Sequence, residues 1–235
     1  MRHGEFHKVQ HIGWLRASVL GANDGIISTA SLIMGIAAAQ AELQIVLLTG
    51  VAGLVAGAVS MAAGEYVSVR SQADTETADL ARERAELEAE PEAELRELTE
   101  IYVKRGIDRE LAYKVATQLT AHDALGSHAR DELGIIDFMA ARPLQAALSS
   151  AATFAVGALI PLIVVVLASQ NIFISRDFLI PATVMVSLMA LALLGGLAAK
   201  VGGANLLRGS LRVVLWGALA MLMTGVVGHF FGVAG

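Results

Sequence analysis

Residues 43–90 read LQIVLLTGVAGLVAGAVSMAAGEYVSVRSQADTETADLARERAELEAE. Leu43 to Gly64 contains no Asp, Glu, Lys or Arg, whereas from Glu65 onward charged residues dominate, and no Pro or Gly interrupts Tyr66 to Glu90. An apolar run of about 20 residues is what a helix needs to cross the hydrocarbon core of a bilayer. The stretch therefore reads as a membrane span over Leu43 to Val67 that continues as one helix until Pro91 stops it. At a rise of about 1.5 Å per residue, Val67 to Glu90 would carry the chain roughly 35 Å beyond the membrane.

Outward from this helix lie four more apolar runs: Ala17 to Ala39, which contains Asp24, then Leu144 to Ser169, Phe178 to Ala199 and Val213 to Phe231, the last three free of acid and base. The expected fold class is an all-α integral membrane protein, five transmembrane helices with a three-helix cytoplasmic insert between the second and third. Composition agrees. Of 235 residues 55% are hydrophobic and only 17% charged, and the mean hydropathy is +0.62. Soluble domains carry about 25% charged residues, so a disordered tail, a nucleic-acid-binding arm and an ordinary soluble enzyme are excluded. There is no cysteine, which removes disulfides, thiolate metal sites and cysteine nucleophiles. Met1 to Arg16 lacks a short apolar region ending at a small-residue cleavage site, so no signal peptide is expected and the first span stays.

The formal net charge of −5 is unevenly placed: residues 65 to 142 hold 18 of the 22 acids and 10 of the 17 bases, a local −8 against +3 elsewhere. Arg2, Lys8 and Arg16 precede the first span, and Lys200, Arg208 and Arg212 lie between the fourth and fifth. The bias of Lys and Arg toward the cytoplasm puts both flanks and the acidic insert inside and the C-terminus outside. The expected segments are 1–16, a cytoplasmic N-terminal piece; 17–70, the first two spans; 71–142, a cytoplasmic acidic domain; and 143–235, the last three spans. Within the insert, apolar residues at helical spacing (Leu80 and Leu87; Leu95, Leu98 and Tyr102; Leu111, Val115 and Leu119; Leu133 and Ile136) predict about three helices, with a turn at Lys104 to Asp108.

A carboxylate within a span costs several kcal/mol unless it pairs, protonates, binds a cation or faces water, so Asp24 is a candidate functional residue, the alternative being a structural partner for a neighbouring helix. In the second span Met61 and Glu65 share a helix face; a thioether beside carboxylates suits a borderline divalent metal such as Fe(II) better than Ca or Mg. Met61 taken alone is ordinary packing, and Glu65 taken alone an interfacial acid. In the insert, Glu83 with Glu86 and Glu94 with Glu97 stand at i and i+3, and His128 with Glu132 at i and i+4, with His122 and Asp131 near them in sequence. Such spacings aim two ligands the same way, although Glu-rich helices are more often solvated faces. No Glu-x-x-His repeat, His-Glu-x-x-His, P-loop or Ser-elbow motif appears. Gly21 with Gly25 and Gly53 with Gly57 predict close helix approach, within a protomer or at a dimer seam.

Together, Asn23-Asp24-Gly25 in the first span, Gly57 to Met61 in the second, the acidic insert, Glu132-Leu133-Gly134 and three further spans make the chain resemble the vacuolar iron transporter family over nearly its whole length. The resemblance implies a five-span protomer that forms a homodimer, with a three-helix metal-binding domain after the second span. It further implies that Asp24 and Met61 line the transport path and that Glu83, Glu86, Glu94, Glu97 and Glu132 bind metal. Plant-type members carry a Met-Met pair where His128 and Ala129 stand here, and an acid where Ala17 and Gly53 stand, while lacking one at Glu65. His128 then joins the expected metal ligands, and Glu65 takes over part of the missing carboxylate's role.

The function implied is a secondary antiporter, not an enzyme, exporting Fe(II), with Mn(II) as a further candidate cargo, from the cytoplasm in exchange for protons, for iron detoxification or storage. The metal is substrate and regulatory ligand, with no prosthetic group. The partners are the lipid bilayer, a second copy, divalent metal and protons, with no nucleic acid. The membrane would be the inner membrane in a bacterium or the vacuolar membrane in a eukaryote. The alternatives are a membrane-anchored divalent-metal sensor or buffer, and a manganese-preferring exporter.

Overall fold

The computed structural model describes the backbone over residues 9–135, 141–170 and 174–233. The whole of the expected N-terminal segment 1–16, together with Ile136, lies outside the residues whose side chains are described. Among the described residues there are seven α-helices, one 3-10 turn and no strand: α1 Val9–Ala38, α2 Leu43–Ala89, α3 Pro91–Lys104, α4 Arg109–Asp131, α5 Pro143–Ser169, α6 Leu179–Val201 and α7 Leu206–Val233. Five helices are long and apolar enough to cross a membrane, as expected. α2 is unbroken for 47 residues. At about 1.5 Å per residue that is roughly 70 Å, more than twice the hydrocarbon thickness, so only its apolar first part fits within a bilayer.

One expectation changes. α7 begins at Leu206 rather than Val213, so Arg208 and Arg212 stand in its first turns and not in a connecting loop. α4 leaves helical geometry at Asp123 (φ −160°, ψ 89°), which divides it into two segments.

The chain forms two compact units, one of residues 1–66 and 144–235, the other of residues 67–143. In the first, α1 packs on α6 and α7, and its glycines bring it onto α5. A Cβ placed on Gly25 would stand 2.1 Å from the Phe154 carbonyl oxygen, and one on Gly57 of α2 would stand 2.1 Å from the Phe154 ring. Small residues are the means by which membrane helices approach closely. Of the two readings of the glycine pairs, contact inside the protomer is what Gly21, Gly25, Gly53 and Gly57 make. Ile33, Val46, Val164, Val165 and Leu179 form a buried cluster that ties α1, α2, α5 and α6 together. The apolar part of α2 is the least covered of the five, with Leu48, Val51, Val55 and Val59 exposed along it.

The second unit is a small helical domain. α2 and α3 are separated by Glu90 alone, and Pro91 occupies the first turn of α3, where its missing N–H is not needed. α3 ends at Lys104; Gly106 takes φ +96°, and the Asp108 carboxylate caps α4 by accepting from the N–H groups of Glu110 and Leu111, both at 3.1 Å. The expected turn at Lys104 to Asp108 is present. Leu98 of α3 and Ala112 and Ala116 of α4 are fully buried, and α3 packs on α4.

Candidate metal centre

Three local devices aim side chains at one point in the second unit. The single-residue corner at Glu90 sets the last turns of α2 against the first turn of α3, which brings Glu83 and Glu94 into one group. Asp123 then restarts α4: its Oδ1 accepts from the Gly126 N–H at 2.9 Å and its carbonyl accepts from the Ser127 hydroxyl at 2.7 Å. This is an N-cap made inside the helix, and it turns Gly126 to Ala129 inward, all four buried. Third, Asp131 locks the end of α4 to α3. The Tyr102 hydroxyl donates to its Oδ2 at 2.7 Å, and Arg105 donates to its Oδ1 at 2.5 Å and to its carbonyl oxygen at 3.1 Å. Burial alone would raise the Asp131 carboxyl, but the hydrogen bonds from Tyr102 and Arg105 outweigh it and hold the group below its ordinary range. Asp131 is therefore an anchor rather than a member of the metal group.

At the convergence point stands His128, fully buried. Its Nδ1 is 2.9 Å from Glu83 Oε1, 2.9 Å from Glu132 Oε2 and 3.8 Å from Glu94 Oε2. One ring N–H cannot satisfy three carboxylates. The aligned bond goes to Glu132, and Glu83 Oε1 is buried with no hydrogen-bond partner. One ligand atom from each of Glu83, Glu94, His128 and Glu132 lies within 4.8 Å of the others. Burial is the main cause that pushes the Glu83 carboxyl up to about 7, with the Glu132 charge adding to it and His128 opposing. Glu94 is also raised, again chiefly by burial. Buried, mutually repelling carboxylates with an orphan oxygen are what a divalent cation would relieve, and three carboxylates with one imidazole suit a borderline transition metal.

The group opens into a cavity of about 700 Å³ lined also by Glu86 and Glu97. All five acids expected of the insert thus face one space, three of them in the tight group with His128 and Glu86 and Glu97 outside it. The cationic side chain on this wall, Arg82, is drawn aside by Asp79 at 2.7 Å. The Tyr102–Arg105–Asp131 anchor escapes sequence reading, because no spacing rule links residues 26 and 29 positions apart.

In the first unit Asp24 is half-buried on α1, and the Ser28 hydroxyl donates to it at 2.6 Å. Met61 and Glu65 are half-buried on α2. Among the described residues no hydrogen bond or ion pair joins Asp24 to either of them.

The sequence profile of the VIT family matches residues 15–229. The chain belongs to the vacuolar iron transporter (VIT) family. It is similar to a vacuolar iron transporter of Acanthamoeba castellanii, 49% identical over 96% of this chain and 82% of the relative. It also resembles vacuolar iron transporter homolog 3 of Arabidopsis thaliana, 37% identical over 90% of this chain and 80% of the relative, and vacuolar iron transporter homolog 5 of Oryza sativa subsp. japonica, 37% identical over 90% and 77%. The VIT profile covers both units, so the buried acidic group lies within the matched region.

Proposed function

We propose that this VIT-family chain is a proton-coupled exporter of Fe(II), accepting Mn(II) as well, that works as a homodimer with its N-terminus and acidic unit in the cytoplasm. The observation that carries the reading is the Glu83–Glu94–His128–Glu132 group, buried except at Glu132, in a chain with five membrane-length helices. Relatives named as vacuolar iron transporters support iron as the cargo. In this reading the acidic cavity collects metal, since a patch of one charge sign raises the local concentration of its counter-ion. Asp24, with Met61 and Glu65, lines the path: ionised it binds the cation, and protonated from the far side it releases it. Two charges leaving against about 100 mV cost about 4.6 kcal/mol, and two entering protons cancel that electrical cost. The exposed apolar row on α2 offers a surface for a second copy.

The test is Fe(II) flux in proteoliposomes under a pH gradient. Asp24→Ala is expected to reduce flux to background while leaving metal bound at the acidic group; flux unchanged in that variant would remove Asp24 from the path. A manganese-preferring exporter is favoured by one observation: the only nitrogen or sulfur donor in the buried group is an imidazole, and carboxylate with imidazole serves Mn(II) as well as Fe(II). Competition of Mn(II) with Fe(II) in the same vesicles separates the two.

A further inference from the structure

A second cavity, of about 380 Å³, lies in the membrane unit where α6 turns into α7, and its chemistry is opposite to that of the acidic one. Arg208 and Arg212 line it one helical turn apart, together with Asn205 of the turn, Val19 and Asn23 of α1, and Ala198 of α6. No carboxylate is among the lining residues, and neither arginine forms an ion pair among the described residues. α7 begins at this wall, its Arg208 N–H capped by Asn205 Oδ1 at 3.1 Å, so the partial positive charge of a helix N-terminus adds to the two guanidiniums. On the α1 wall, the Asn23 side-chain oxygen is buried and has no hydrogen-bond partner. A buried acceptor left unpaired costs about 1–3 kcal/mol, so this oxygen calls for a donor. The remaining lining is aliphatic.

A ligand matching these walls has a single-charged anionic group for the arginine pair, a neutral hydroxyl donor for Asn23, and an apolar body. Arg favours phosphate through its planar fork of donors. In a protein with five membrane-length helices that combination is met by a glycerophospholipid with a hydroxylated headgroup. We infer that this cavity binds the headgroup of an anionic phospholipid of the phosphatidylglycerol type, its phosphodiester on Arg208 and Arg212 and a headgroup hydroxyl donating to Asn23. A basic pocket between membrane helices is the general form of such sites. The bound lipid would tie α1 to the α6–α7 corner.

The test is native mass spectrometry of the full-length protein, delipidated in neutral detergent and offered equal phosphatidylglycerol and phosphatidylcholine of matched chains. The wild type is expected to retain phosphatidylglycerol at least about tenfold over phosphatidylcholine, a difference of about 1.4 kcal/mol. Arg208→Gln with Arg212→Gln is expected to bring the ratio close to one, and Asn23→Val, which keeps both arginines, to lower it severalfold. Equal retention of the two lipids by the wild type, or an unchanged ratio in either variant, overturns the assignment. So does displacement of the lipid by millimolar inorganic phosphate, which would make this a site for free phosphate.

Discussion

Glu83 is the residue on which opposing demands meet. Its carboxylate is 2% exposed, shares His128 with two other acids, and is raised from an ordinary 4.5 to about 7. A carboxyl that is harder to ionise in the folded chain than in the unfolded one stabilises the fold below the unfolded value, and that contribution is lost as pH rises through the folded value. Without metal, the unit of residues 67–143 should therefore lose stability between about pH 4.5 and pH 7. A divalent cation replaces the proton, so its affinity should rise across the same window. Thermal unfolding of the purified protein with and without Mn(II), from pH 5 to pH 8, is expected to show metal stabilisation that grows with pH. Glu83→Gln keeps the shape and removes the charge. It should flatten that pH dependence, leave the metal-free protein at pH 8 no less stable than wild type, and weaken metal binding by at least about tenfold, about 1.4 kcal/mol. A variant that bound Mn(II) as the wild type does in calorimetry would take Glu83 out of the ligand set.

Among the elements, α4 shows how local chemistry is converted into a site. The break at Asp123 costs helix hydrogen bonds and is repaid by a cap on Gly126 and Ser127. A Cβ on Gly126 would fall 2.1 Å from Asp123 Oδ2, so only glycine leaves the carboxylate in place. Asp123→Ala and Gly126→Ala should each cost about 1 kcal/mol through the lost cap, read as a lowered Tm. Both should also weaken metal binding, since the cap sets the direction of His128. Tyr102→Phe, which cuts one hydrogen bond of the Asp131 anchor but not the two from Arg105, should cost about 1 kcal/mol or less with little change in metal affinity. These elements also mark how far reading the sequence can go. The five apolar runs, the stop at Pro91 and the turn at Lys104 to Asp108 follow from hydropathy, a missing N–H and a capping carboxylate, all of which act within a few residues. The acids around Glu83 and Glu94 were legible as pairs sharing a helix face because helical spacing is local as well. The meeting of Glu83 with His128 and the role of Asp131 depend on tertiary packing, which no short window encodes. Asp123 stood three residues before Gly126, a spacing compatible with a cap.

At the scale of the whole molecule, net charge is divided unevenly along the chain. Residues 65 to 142 carry the net −8 and the acidic donor group, while the membrane unit keeps Asp24 on α1 and two arginines at the α6–α7 corner that form no ion pair among the described residues. A division of this kind distinguishes a transporter from an anchored sensor by kinetics rather than by binding. If the acidic group only gathers metal, its loss should act on the concentration needed for flux and not on the maximal rate, because uniform changes in capture leave the later step untouched. If Asp24 is the site through which the cation passes, its loss should act on the maximal rate at any concentration. Glu83→Gln with Glu94→Gln is therefore expected to raise half-saturating Fe(II) by at least about tenfold while keeping the maximal rate within about twofold, and Asp24→Asn to remove flux even at saturating Fe(II). Loss of maximal rate in the double variant would mean that the acidic group gates the path instead of feeding it. Metal binding without flux in the wild type would mean that the membrane helices serve only as an anchor, and a carboxylate held within a span would then have no cation to repay its cost.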